Sequence, residues 1–79
     1  MLNVYHLPHF KYDLNEVLVR SEMDPSRFDQ FTANLLTKAT RRGINDAKDY
    51  ISDATQDGII DEVSADRVKR LLHRYSKLR

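Results

Sequence analysis

The chain has 79 residues, no cysteine and a net charge of +1 at neutral pH. This length allows one domain with a thin core, and the lack of cysteine excludes disulfides as additional stabilisation. A net charge this small does not by itself indicate a nucleic-acid or membrane partner. Self-association is the remaining way to supplement the core, so the sequence predicts a single helical domain over residues 1–79 that forms a homo-oligomer, such as a homodimer.

The sequence shows no targeting or membrane-spanning segment. No apolar run approaches the roughly 18 residues that a membrane helix needs. The N-terminal MLNVYHLPHFKYD has no basic region followed by an apolar stretch. These features, with the missing cysteine, predict a cytoplasmic protein without a membrane partner.

The first ten residues differ from the rest in periodicity. Leu2, Val4 and His6 recur at every second position, and the pattern ends at Pro8. A repeat of two residues is the period of an extended chain. We therefore expect an extended arm over residues 1–10. It could pair with the β-like Gly58–Val63 fragment, pair with a second copy, or lie over the helices, and the last two are favoured.

Residues with capping side chains mark the starts of the predicted helices, and isolated glycines mark two of the ends. The predicted caps are Asp13, Asp24 before Pro25, Asn45 and Ser64, and the glycines are Gly43 and Gly58. The predicted helices cover residues 13–22, 25–42, 45–57 and 64–78, and the Glu16–Val19 part of the first could instead form a strand.

Apolar residues at spacings of three and four follow each predicted start, as in amphipathic helices. They are Leu14, Val17 and Leu18; Phe28, Phe31, Leu35, Leu36 and Ala39; Ala47, Tyr50, Ile51 and Ala54; and Val68, Leu71, Leu72, Tyr75 and Leu78. The sequence therefore predicts an all-α fold, a small bundle of three to four helices with an extended N-terminal arm.

The charges are segregated along the chain. Residues 44–63 carry one lysine against six carboxylates, whereas residues 64–79 carry six basic side chains against one aspartate. On the third helix an acidic ridge is predicted, formed by Asp46, Asp49, Asp53 and Asp57. A basic ridge is predicted on the last helix and at the end of the second, formed by Arg41, Arg42, Arg67, Arg70, Arg74 and Lys77.

The stretch Gly43–Ile60 resembles the helix-turn-helix and winged-helix class in its turn and in its closing Gly-Ile-Ile. That resemblance implies a recognition helix in the DNA major groove. The acidic ridge lies on this same helix and would repel phosphates, and a helix starting near Ser64 takes the place of a wing. The charges therefore argue against DNA recognition by this segment.

No arrangement of residues indicates catalysis or a cofactor. His6 and His9 do not supply the three or four ligands of a zinc site, and none of the serines is accompanied by a base and an oxyanion-binding loop. The glycines are isolated, so no loop is suited to hold a phosphate. We expect a non-enzymatic protein with no metal, cofactor or small-molecule substrate.

Two binding functions remain. One is protein–protein interaction or homodimerisation through the charged ridges, and the other is nucleic-acid binding through the basic C-terminal helix. The near-zero net charge favours a protein partner over a phosphate backbone. The sequence does not show whether the two ridges pair within one chain.

Overall fold

A computed structural model describes residues 7–76 as a bundle of helices, which confirms the predicted all-α fold. The helices are α1 (Leu7–Val19), α2 (Phe28–Thr37), α3 (Ile44–Gln56) and α4 (Glu62–Ser76). A 3-10 turn, Pro25–Arg27, precedes α2, and a π-helical turn, Lys38–Arg42, follows it. Together these pieces cover the predicted second helix over residues 25–42.

The first helix is longer than predicted because it begins at Leu7 instead of Asp13. Pro8 is the second helical residue, where a missing N–H costs nothing because first-turn amides have no partner within the helix. The prediction of an extended arm is therefore wrong for residues 7–10, and residues 1–6 lie outside the described part of the chain. Asp13 lies within the helix and is not its cap.

The cap predicted at Asp24 is confirmed. Its carboxylate accepts a hydrogen bond of 3.0 Å from the Ser26 backbone N–H. This bond, with a further one from the Ser26 side chain, lowers the pKa of Asp24 below its ordinary value. Pro25 then occupies the first helical position, as the sequence predicted.

The caps predicted for the last two helices are each displaced by a few residues. Helix α3 begins at Ile44 after Gly43, and Asn45 makes no capping bond. Ser64 lies inside the first turn of α4, where its N–H and its hydroxyl donate to Asp61 Oδ2 at 3.1 and 3.0 Å. Asp61 is therefore the cap of α4, because an aspartate before the first helical residue reaches the third backbone N–H.

Two glycines permit the turns at either end of α3. Gly43 has φ 116° and ψ 173° and donates its N–H to the Lys38 carbonyl at 2.8 Å, which closes the π-helical turn. Gly58 has φ 75°. The N–H groups of Gly58 and Ile59 donate to the carbonyls of Thr55 and Ala54, the paired bonds of a Schellman helix end.

Helix α4 packs against both α1 and α3. The Phe10 and Tyr75 rings meet edge to face with centroids 5.6 Å apart, and the Tyr75 hydroxyl donates to Asp13 Oδ2 at 2.5 Å. At the other end, the Glu22 N–H donates to Asp61 Oδ1. Helices α1 and α4 are therefore antiparallel, with the start of α1 beside the end of α4.

The core consists of one stripe from every helix together with residues of the connections. Its larger members are Phe10, Leu14, Leu18, Met23, Phe31, Leu35, Ile51, Ile60, Val68, Leu72 and Tyr75. The stripes predicted the helical members except Phe10, while Met23 and Ile60 lie in the connections. Leu71 is only half-buried beside this core, and Leu78 lies outside the described residues.

Leu72→Ala should destabilise the fold severely, because the Leu72 side chain is 0% exposed and its removal leaves a cavity between helices. We expect a loss of about 2–5 kcal/mol in the free energy of unfolding, measured by urea denaturation. Leu71→Ala, at the half-buried neighbouring position, is the matched control and should cost clearly less. Equal losses at both positions would contradict this packing.

Gly43→Asn should cost about 1–3 kcal/mol, because the Gly43 backbone lies in a region that side-chain-bearing residues rarely adopt. No atom lies within 4 Å of a Cβ added there, so the cost is one of backbone conformation alone. Gly58→Asn should cost less, because asparagine tolerates the left-handed helical region near φ 75°. Thermal unfolding of the two variants, compared with the parent, checks the difference.

Candidate interaction surface

The structure places the acidic ridge on an exposed edge of α3. Asp46, Asp49, Asp53 and Asp57 are all exposed. Tyr50 follows Asp46 by four residues and precedes Asp53 by three, so it lies on the same side of the helix. The Tyr50 ring faces α2, where it contacts Phe31 at a centroid distance of 5.5 Å. The acidic ridge therefore borders the α2 side of α3.

The predicted basic ridge is divided into two parts. Arg67, Arg70 and Arg74 are exposed along α4, whereas Arg41 and Arg42 are exposed in the π-helical turn before α3. Lys77 lies outside the described residues. Among the members of this ridge within residues 7–76, the three arginines of α4 form one continuous row, because positions three and four apart are neighbours on a helix.

The row on α4 extends to Arg20, in the turn that follows α1. Arg67 and Arg20 line the same small cavity of about 160 Å³, together with Glu16 and Val17. Sequence reasoning missed Arg20, because nothing local to the end of the first helix indicates that it lies beside Arg67. The antiparallel packing of α1 on α4 brings the two together. We call Arg20, Arg67, Arg70 and Arg74 the basic surface.

An open groove of about 470 Å³ lies between α3 and α4. Its lining residues are Ser52, Thr55, Gln56, Glu62, Ala65, Asp66 and Lys69. None of them belongs to the acidic ridge or to the basic surface. The acidic ridge borders the α2 side of this helix pair and the basic surface borders the α1 side, so the groove separates them.

The two charged sets do not pair within the described chain. Between residues 7 and 76, no acidic oxygen of one side chain lies within 4.0 Å of a basic nitrogen of another. The arginine in a ring contact, Arg74, lies 5.9 Å from the Tyr75 ring centroid. Both sets are therefore exposed to solvent without an ion-pair partner in this part of the molecule.

Exposed apolar side chains accompany the basic surface. Val63 is 63% exposed and lies four residues before Arg67, which places it in the same row of α4. Val19 is 62% exposed and directly precedes Arg20. The Glu22–Asp61 hydrogen bond joins the end of α1 to the start of α4, so both valines lie at that end of the molecule.

Asp61 holds the start of α4 in place. Its Oδ2 caps the helix through Ser64, and its Oδ1 accepts a 3.1 Å hydrogen bond from the Glu22 backbone N–H. The bond from Glu22, followed by those from Ser64, lowers the pKa of Asp61 below its ordinary value of 3.8. The Asp61 carboxylate therefore holds the start of α4, which carries Val63 and Arg67, in a fixed position relative to the segment after α1, which carries Arg20.

Over residues 7–76, no group of three or more histidine, cysteine or carboxylate side chains is placed to bind a metal ion. No helix in the same range is long and apolar enough to cross a membrane.

Comparison with protein-family models, with curated proteins and with solved structures finds no significant match to this chain.

Asp61→Asn should destabilise the protein by about 0.5–2 kcal/mol, the usual range for loss of a helix cap. Asparagine has a single carbonyl oxygen, so it accepts from Glu22 or from Ser64 but not from both. Asp24→Asn is the matched control, since Asp24 accepts its backbone bond through Oδ1 alone and asparagine caps equally well. Chemical denaturation at pH 7 measures both variants.

The contribution of Asp61 should also depend on pH. Because folding lowers its pKa, the contribution is complete above the unfolded value near 3.8 and is lost as the pH falls through the lower folded value. The stability difference between parent and Asp61→Asn should therefore narrow in acid. A difference that stayed constant from pH 7 to about pH 2 would contradict this role of the carboxylate.

Proposed function

We propose that this protein is a non-enzymatic interaction module that binds another protein through its charged helix surfaces. The observation that supports this most is the presence of two oppositely charged, exposed sets of side chains with no ion pair between them in residues 7–76. Complementary charge across an interface gives specificity and speeds association.

Two of these charges lie in the unfavourable half of their helices. Arg67 is in the first half of α4, and Asp53 is in the second half of α3. The helix dipole disfavours such placements by roughly 0.3–1 kcal/mol for each charge near a terminus. No neighbouring side chain within residues 7–76 offsets this with an ion pair. A bound partner of opposite charge would provide the missing compensation.

Val63 favours a protein partner over a nucleic acid. Protein interfaces bury apolar area beside arginine, which is enriched there. Val63 is exposed in the row of Arg67 and Arg70 and offers such an apolar area. Phosphate groups would gain nothing from a valine, whereas an acidic segment with apolar side chains would contact both parts of this surface.

Nucleic-acid binding is the second candidate, and one observation favours it. Arg20 lies beside Arg67, so the basic surface has a fourth arginine, in the turn after α1, besides the three on α4. Such a surface would contact phosphates without reading base sequence. Its affinity would fall steeply with salt, with a log–log slope of about −4 for four phosphate contacts.

We suggest separating the two candidates by affinity capture with immobilised protein from nuclease-treated extract of the source organism at low salt. Two variants, each with one charged surface partly neutralised, are compared with the parent: Arg67→Gln with Arg70→Gln, and Asp49→Asn with Asp53→Asn. All four side chains are exposed, so both variants should keep the fold. Circular dichroism and thermal unfolding check this.

The proposed function predicts a protein that the parent retains and that at least one variant loses by about tenfold or more, as expected when two charged contacts are removed. A set of retained proteins identical for parent and both variants would contradict it. Proteins retained from untreated extract but not from nuclease-treated extract, together with salt-dependent binding of duplex DNA, would favour the nucleic-acid candidate instead.

A further inference from the structure

We propose that one partner of this protein is a second copy of the same chain, bound head to tail, with the acidic ridge of one copy on the basic surface of the next. This inference rests on the proposed function, since it names the partner of the same two surfaces. It commits to a geometry that differs from a symmetric homodimer.

The two rows of charge have matching spacing. Asp46, Asp49 and Asp53 are separated by three and four residues, and so are Arg67, Arg70 and Arg74. At a rise of about 1.5 Å per residue, each row places its charges along about 10 Å of helix. Parallel alignment of α3 from one copy with α4 from another would therefore bring three opposite pairs into register.

The geometry prevents this pairing within one chain. The acidic ridge borders the α2 side of α3, which Tyr50 marks by its contact with Phe31. The basic surface borders the α1 side of α4, which Arg67 marks by the cavity it shares with Arg20. Because the α3–α4 groove lies between the two surfaces, each surface is available to a different neighbouring molecule.

This separation also determines the symmetry. A two-fold dimer uses the same patch on both copies, whereas contact between two different patches is heterologous and leaves one of each free. The acidic ridge would meet the basic surface of a second molecule, whose own acidic ridge would remain exposed. A third copy could then bind in the same way.

The association should be weak and sensitive to salt. Exposed ion pairs contribute roughly 0.2–1 kcal/mol each and are screened at high ionic strength. Val63, in the row of Arg67 and Arg70, and the half-buried Tyr50, beside the acidic ridge, add apolar area to the contact. We expect the apparent affinity to fall about tenfold or more between roughly 20 mM and 500 mM salt.

Two neutralised variants of the full chain test this arrangement by sedimentation equilibrium at low salt. The first, Arg67→Gln with Arg70→Gln, removes half the charge of the basic surface and leaves the acidic ridge intact, and the second, Asp49→Asn with Asp53→Asn, does the reverse. Each alone should be monomeric where the parent associates. An equimolar mixture should form a one-to-one dimer and nothing larger, because each molecule has one working surface.

Lys11→Gln with Arg27→Gln provides the control for net charge. Both positions are exposed and lie outside the basic surface, and this variant changes the net charge as much as the first variant does. It should associate as the parent does. Circular dichroism confirms that all variants are folded before the comparison is made.

Three results would overturn the inference: a parent that stays monomeric up to about 1 mM at low salt, variants that associate as strongly as the parent, or a mixture that forms no dimer. None of these would by itself reject the proposed function, because the capture experiment uses dilute protein and detects other partners. If capture is positive and the parent is monomeric, the partner is a different protein. If the mixture dimerises and capture is negative, self-association is the function of these surfaces.

Discussion

The burial of the α4 stripe between α1 and α3 is the interaction on which the rest of this structure depends. A chain of 79 residues without cysteine has no disulfide, so packing and hydrogen bonds within the domain must oppose the entropy of unfolding. Val68, Leu72 and Tyr75 supply this packing from one helix to both neighbours. Because α4 also carries Arg67 and Arg70 on its exposed side, the helix that completes the core is the same helix that presents the basic surface.

Periodicity in the sequence was sufficient to predict most of the fold, while the helix starts were predicted less well. An apolar stripe predicts a helix because each member contributes to the same buried face, so an error at one position changes little. A cap depends on a single residue, and an alternative cap lay close by at two starts. Asp61 replaces Ser64 and Gly43 replaces Asn45. At the first helix, the alternation of apolar residues before Pro8 indicated an extended chain. Phe10, however, continues the helical spacing of the apolar residues that follow it.

The candidate site could be predicted only as far as it is local. Charges at helical spacing on one helix predict an exposed row, and the acidic ridge and the row on α4 are indeed exposed. The neighbourhood of Arg20 and Arg67 depends on how α1 packs on α4, and so does the bond between Asp13 and Tyr75, which lie 62 residues apart. Contacts between distant segments leave no pattern in a single sequence. They also decide whether charges of opposite sign meet, which composition does not reveal.

The antiparallel arrangement of α1 and α4 has a consequence for the connectivity of the molecule. Phe10 and Tyr75 are in contact, so the chain enters and leaves the bundle at the same end. The helices thus follow one another almost as a closed ring. A short linker between residues 7 and 76 would complete that ring, and new termini could then be opened in another connection without changing which helices are neighbours. By the same geometry, the domain could be inserted into a surface loop of a host protein, because its two attachment points lie side by side.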